Sequence, residues 1–332
     1  MNHPPPAAAR AGTERFNSVV PELGSHPDWD RNSLTDLLHL QPTGPGTFCT
    51  DRSLANAFGV IFGGQMVGQA LVAAAHDVAP EAVLHSLQIN FLKAGQADQP
   101  LHYTVQPLMQ GRTFAVMQVQ GRQGERLVIQ ATASFQRPEA GPAHQLTGPL
   151  ADAPDPDSLP TLAEVVSRNA HLISPEALDR MAAEHTVDLR PWDAQAFLFS
   201  RDPSAHARYW VRVRPALPDD ARTQQAALGY LSDYWFPLTA LSPHIDRKIG
   251  SGLHVASLNH TVWFHHPARA DEWLLVDARS HFTGQSRGLT FGQVYRRDGT
   301  LVASLAQEGL YRGWQQGAEG FVSPTQGGPN PP

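Results

Sequence analysis

Hydrophobic and polar positions along this chain pass through one series of patterns and then pass through it again. Residues 62–78 have helical spacing, with the small residues Gly64, Gly68 and Ala75 set among Met66, Val67, Ala70, Leu71 and Ala74. A helix with so little bulk can lie tightly against a sheet or be wrapped by one. The period then changes. Leu87, Ile89 and Phe91 alternate with Ser86, Gln88 and Asn90, and Leu101, Tyr103 and Val105 alternate likewise, as half-buried strands do. Residues 113–120 and 126–136 predict a hairpin around Gln123-Gly124.

The second series predicts a helix over 228–241 and strands over 254–264, 273–278, 289–295 and 301–312. Asp298-Gly299 falls where Gln123-Gly124 falls in the first copy, and is a two-residue hairpin signal. One helix followed by several antiparallel strands, twice, argues for an α+β architecture with each sheet curled around its helix. With two copies and no more, this is a fused duplication and not a stacking array.

A length of 332 residues suits two domains, each able to bury a core. The expected division is a loose tail over 1–30, a first unit over 31–138, a linker over 139–190, a second unit over 191–315 and a second tail over 316–332. The linker reading rests on Ala153-Pro154-Asp155-Pro156-Asp157, because proline lacks the N–H that a central strand needs. Within it, residues 162–183 have the spacing of a short surface helix.

Composition narrows the classes. Hydrophobic content of 41% and charged content of 17% describe a globular chain. A formal net charge of −6 leaves no basic footprint for nucleic acid or an acidic membrane, though local positive pockets for an anionic substrate remain open. Cys49 is the single cysteine, so no intrachain disulfide is expected and a reducing compartment is the default. No apolar run reaches the length of a membrane span. The opening Met1-Asn2-His3 lacks an apolar signal segment, and Asn330-Pro331-Pro332 is no peroxisomal address, so the expectation is a cytoplasmic protein.

Several fragments, in order, carry a resemblance. Phe62-Gly63-Gly64-Gln65, His85-Ser86-Leu87, Gly111-Arg112-Thr113-Phe114 and Ala133-Ser134-Phe135-Gln136 resemble the first half of the acyl-CoA thioesterase II (TesB-like) family. Leu231-Ser232-Asp233, Ala256-Ser257-Leu258-Asn259-His260-Thr261, Arg287-Gly288 and Gln307-Glu308-Gly309 resemble its second half. The resemblance implies a double hotdog fold, hydrolysis of acyl-CoA thioesters, and assembly through the sheets into a homo-oligomer (a dimer or tetramer). It implies no metal and no organic cofactor. Carried over by motif, the water-activating residues are Asp233, Ser257 and Gln307. Asn259 departs from the pattern, which has Asp there; altered local hydrogen bonding is expected, with activity kept.

The chemistry can also be argued from the residues. A thiolate leaves readily, since thiols ionise near pH ~8.5, so no strong general acid is required. A held water, a base and an oxyanion donor suffice. Asp233, expected near a helix start and partly buried, would be the base, and Ser257 and Gln307 would orient the water without covalent attachment. Backbone N–H groups of Gly63-Gly64 or of 230–232 are the oxyanion candidates, and Arg287 and His260 are further substrate contacts. Taken singly, an Asp near a helix start is more often a cap, Ser257 a small strand residue and Gln307 an edge contact. Matching 304–309 to 129–134 finds no Gln-Glu-Gly in the first copy, and nothing there matches Asp233. One active site per chain follows, with copy one as scaffold and acyl-pocket wall.

Two motifs compete. Gly284-Gln285-Ser286-Arg287-Gly288 fits a nucleophile elbow, but strands follow it and no His comes after His281. His260, His265 and His266 lie close together without any metal-site spacing. Two other classes stand beside hydrolysis: a non-catalytic acyl-CoA binder and a hotdog enoyl-CoA hydratase. Thiol release from acyl-CoA separates them.

Overall fold

The computed structural model describes residues 33–50, 52–54, 60–172, 186–199, 204–214, 216–244 and 254–312. The two expected tails, and half of the helix expected over 162–183 (residues 173–183), lie outside them.

Twelve strands form one sheet in the order β1-β2-β4-β5-β6-β3-β9-β12-β11-β10-β8-β7. The first half supplies β1 (Gln41–Gly44), β2 (Thr47–Thr50), β3 (Val83–Phe91), β4 (Leu101–Gln110), β5 (Phe114–Gln123) and β6 (Arg126–Gln136). The second supplies β7 (Val187–Pro191), β8 (His206–Val213), β9 (His254–Phe264), β10 (Leu274–Gly284), β11 (Arg287–Arg296) and β12 (Leu301–Arg312). Outward from the joint, both halves have the same strand order. The joint is the antiparallel β3–β9 pair, centred on Gln88 opposite Thr261. The duplication read from the sequence is therefore a pseudo-twofold in the fold, an α+β double hotdog.

Each half wraps one helix, α2 (Gly63–Ala75) and α5 (Ala221–Ser232); between them in the chain come α3 (Leu162–Arg168) and α4 (Ala194–Phe199), and α1 (Leu34–Leu38) precedes both. The helices α2 and α5 lie antiparallel and touch. A Cβ on Gly64 would collide with the Tyr230 carbonyl, and one on Gly68 would lie 3.0 Å from that of Ala226. The small-residue seam thus serves helix-to-helix approach as well as the sheet. Being buried nearly all round, α2 must satisfy its polar side chains internally. Gln69 donates to the Leu37 carbonyl at 2.8 Å and accepts from Tyr103 at 2.8 Å; Gln65 donates to Arg52 O and accepts from Leu54 N.

Three expectations need correcting. The second helix was expected over 228–241; it begins at Ala221 behind the cap Asp220, whose side chain accepts from Thr223 N, and ends at Ser232. Trp235, at φ +66°, turns the chain out of the helix, and Phe236–His244 continue as a separate 3-10 helix. Apolar residues continuing through Tyr234, Phe236 and Leu241 imitate helical spacing across that break. Asp298-Gly299 belongs to a three-residue loop: Arg296 N donates to Thr300 O at 3.0 Å, with Gly299 left-handed at φ +89°. Strands β1, β2, β7 and β8 were not expected, and β7 begins inside the stretch read as linker and ends on Pro191, one residue past it. β1 has no buried residue to betray it.

That stretch is also firmly attached. Trp210 Nε1 donates to Pro154 O at 3.1 Å, Trp273 Nε1 to Asp157 at 3.2 Å, and Arg190 to Leu159 O at 2.6 Å. Trp210, Trp273, Leu275 and Tyr295 make a small second core with Leu150, Ala153 and Leu159. Helix α3 carries a full capping box between Thr161 and Glu164. The prolines make an ordered strap.

Candidate active site

Gln307 on β12 lies opposite His260 on β9. Beyond it the register shifts: Glu308 pairs with Asn259, but Gly309 pairs with Ser257, leaving Leu258 as the extra residue of a bulge. Simple alternation would send Ser257 to the same face as Asn259. The bulge turns it inward beside Gln307. Gln307 Nε2 donates to Ser257 Oγ at 2.8 Å and to Asp233 Oδ1 at 2.5 Å, and Ser257 Oγ donates to Asp233 Oδ1 at 3.3 Å. The three expected residues are thus brought together.

Asp233 does not open a helix, as the sequence suggested; it caps the C-terminus of α5. There the backbone carbonyls disfavour a negative charge. The opposing element is the N-terminus of α2, from the other half of the chain. Gly64 hydrogen-bonds Asp233 through its backbone N–H, and a Cβ on Gly63 would lie 2.5 Å from Asp233 Oδ2. Burial raises the carboxyl pKa to about 6, while hydrogen bonds from Gln307, Ser257 and Gly64 pull the other way. Gly63 and Gly64 therefore join the cluster. Residues 230–232 do not offer oxyanion donors, because their amides belong to the body of α5.

The remaining candidates are placed differently. His260 is fully buried (0% exposed), with Nε2 2.8 Å from Ser232 Oγ, and burial lowers its pKa to about 3. Arg287 forms a 2.7 Å ion pair with Glu308, on the sheet face opposite Gln307. Asn259 Nδ2 donates to the same Glu308 at 3.2 Å; an Asp there would oppose a like charge. Gln285 and Ser286, at φ +52° and +59°, form a two-residue turn between Gly284 and Arg287, so the elbow motif is a hairpin. No group of three or more His, Cys, Asp or Glu among the described residues could hold a metal ion, and no described helix is long and apolar enough to cross a membrane.

Sequence reasoning missed the aromatic residues near Asp233. The charge of Asp233 and burial together raise the pKa values of Tyr209, Tyr230 and Tyr311, burial most, so these phenols stay protonated. Phe62 meets Tyr230 edge-on at 5.2 Å, and Trp235 stacks on Phe197 at 5.2 Å. They come from well-separated segments, and no local pattern announces their meeting.

A double hotdog with a buried Asp–Ser–Gln cluster where two helix ends meet fits the class expected from the sequence resemblance, a thioester hydrolase. The acyl-CoA thioesterase N-terminal domain family matches residues 52–136, and the acyl-CoA thioesterase C-terminal domain family matches 150–311. The chain is 36% identical to acyl-CoA thioesterase 2 of Haemophilus influenzae, over 85% of this chain and 97% of that protein. It is also 36% identical to human acyl-coenzyme A thioesterase 8, over 84% and 88%. Among solved structures, acyl-CoA thioesterase II TesB2 from Mycobacterium marinum superposes with a TM-score of 0.69 at 31% identity, covering 86% of this chain and 98% of that one. The chain belongs to the acyl-CoA thioesterase family and hydrolyses acyl-CoA thioesters.

Proposed function

We propose that Asp233 is the general base of this hydrolysis and that Gln307 and Ser257 orient the attacking water against it. The observation that carries the reading is the closed triangle of these side chains around a buried carboxyl whose pKa is about 6. Such a group is mostly ionised at neutral pH yet basic enough to accept a proton. Asp233 takes one proton from water as the oxygen adds to the thioester carbonyl. The negative charge moves to the carbonyl oxygen, and the amide of Gly63 at the start of α2, outside the helical ladder, faces it. Collapse breaks the carbon–sulfur bond, the thiolate takes the proton from Asp233, and the carboxylic acid and CoA leave.

Copy one thus supplies the oxyanion end and copy two the base. The acyl chain is expected to lie among the aromatic side chains beside Asp233, its length preference set by their depth. A homo-oligomer formed through outer sheet faces, where Trp263 and Phe291 are exposed, and a cytoplasmic setting complete the proposal. Thiol release from an acyl-CoA series by the wild type and Asp233→Asn tests the mechanism. Near-wild-type turnover by the variant would sink it.

A further inference from the structure

Gln307 can serve the site only if its amide is the right way round. Both of its N–H hydrogens are committed, one to Asp233 and one to Ser257. Rotated by half a turn, the amide would set its carbonyl oxygen against a carboxylate. Ionised Asp233 opposes that rotation by repulsion, but protonated Asp233, present near its pKa of about 6, does not. A restraint that holds in both states has to act on the other end of the amide. There Gln307 Oε1 and His260 Nδ1 are both buried and neither has any other hydrogen-bond partner. The two residues lie opposite each other on β12 and β9, and, against the larger effect of burial, a side-chain hydrogen bond to Gln307 favours protonated His260.

The proton assignment follows by elimination. A neutral imidazole has one donor and one acceptor. The Ser232 hydroxyl lies 2.7 Å from Gly229 O and 2.8 Å from His260 Nε2, with one hydrogen to give. If Gly229 received it, His260 Nε2 would have to donate, and the bare Nδ1 would face the bare Gln307 Oε1. Two acceptors face to face in a dry core repel each other and leave both desolvated groups unpaired. The arrangement that avoids this at the amide shares the one Ser232 hydrogen between Gly229 O and His260 Nε2, and then runs in one direction: His260 Nδ1–H to Gln307 Oε1, and the Gln307 amide hydrogens to Asp233 and Ser257.

We propose that His260, set by Ser232, is a positioning residue of the hydrolase, holding the Gln307 amide so that both its hydrogens point at Asp233 and Ser257. The first half of the chain has no such relay. By strand register Leu87 occupies the place of His260, Ala133 that of Gln307 and Leu84 that of Ser257. The inference rests on the role proposed for Asp233 and Gln307. The phenols that face Asp233, those of Tyr209, Tyr230 and Tyr311, stay neutral and do not titrate with it.

The test compares His260→Leu, His260→Asn, Ser232→Ala, Gln307→Ala and the double variant His260→Leu/Gln307→Ala in the full chain, by thiol release across pH. His260→Leu copies the first half; Asn keeps an N–H near the Nδ1 position. Expected for Leu is a fall in kcat of about 10- to 100-fold with KM within about threefold, as misoriented catalytic groups give. The acidic limb of kcat/KM should also move to higher pH, because Asp233 loses a donor. Asn should recover most of the rate, and Ser232→Ala should fall between. The double variant should be no slower than Gln307→Ala alone. Wild-type kinetics for His260→Leu, equal loss in Leu and Asn, or additive loss in the double variant would each overturn the proposal. Were Asp233→Asn itself active, the underlying mechanism would fail first, and that result reads separately.

Discussion

The two helix ends of this molecule make a controlled comparison. Helix α5 ends on Asp233, 3% exposed and held by Gln307, Ser257 and the Gly64 amide. Helix α2 ends on His76, an exposed side chain 2.7 Å from exposed Asp77. Strands equivalent by register flank both ends. In the half that carries Asp233 they hold Ser257, His260 and Gln307; at the register-equivalent positions of the other half they hold Leu84, Leu87 and Ala133, all buried. The start of the facing helix differs too. Gly63 and Gly64 leave room at one end, whereas at the other Arg222 reaches across to Val78 O at 2.8 Å and Gln225 to Leu84 O at 3.1 Å. One scaffold offers two equivalent places for chemistry, and three apolar strand positions, a different helix end and a filled facing terminus together remove the chemistry from one of them. A buried polar network must be complete or absent, because each unmatched member costs about 1–3 kcal/mol.

The strongest way to break the comparison is Asp233→Asn, which should make the active end as inert as the other. Thiol release should fall by about 10³-fold or more, since a general base supplies rate factors of 10²–10⁴. The same change should raise stability, and here the sign matters. The folded pKa, about 6, lies above the 3.8 of an ordinary exposed Asp, so the folded state prefers the protonated form. Stability from that proton is complete at low pH and is lost as pH rises through about 6. Asn, always neutral, should therefore gain up to about 3 kcal/mol above pH 7 and next to nothing below about pH 3, read from Tm against pH.

Gln307→Ala should come next, at about 10²-fold in kcat, with Ser257→Ala below it, because each removes one orienting contact and leaves the base. The pH profile follows in size: kcat/KM should drop on the acid side with a midpoint of about 6, and a midpoint near 4 would mean that the base is another carboxylate. Ala133→Gln sharpens the comparison from the inert side. It puts an amide where neither His nor Asp awaits it, so it should cost about 1–3 kcal/mol in urea unfolding and leave turnover per chain unchanged. Arg287→Ala should be the smallest, with KM changed less than about threefold, since an exposed ion pair contributes about 1 kcal/mol or less. A tenfold rise in KM would put Arg287 back at the CoA phosphates.

Much of this was legible along the chain. Strands β6, β9 and β12 have the expected bounds, and Asp233, Ser257 and Gln307 stood out through their motifs. The correspondence between copies was off by one residue: matching 304–309 to 129–134 sets Thr132 at the place of Gln307, where register sets Ala133. The bulges at His85 and Leu258 decide that, and a bulge is a property of a strand pair rather than of a strand. Arg287 lies on the sheet face away from Gln307 for a related reason. Its neighbour Glu308 lies next in sequence to Gln307, but adjacent strand residues look in opposite directions.

The order of residues by itself determined the duplication, the alternation that makes the strands, and which half carries an acid, a hydroxyl and an amide. These are short-range properties, set by side-chain period and composition. Tertiary structure alone decided that the carboxyl ends one helix and faces the start of the other, and that a histidine stands behind the amide. Those facts depend on two helices docking antiparallel and on strand registers fixed by residues far apart in the chain. The pKa that makes Asp233 a base exists only after that burial, because desolvation belongs to the folded core and not to any segment of it.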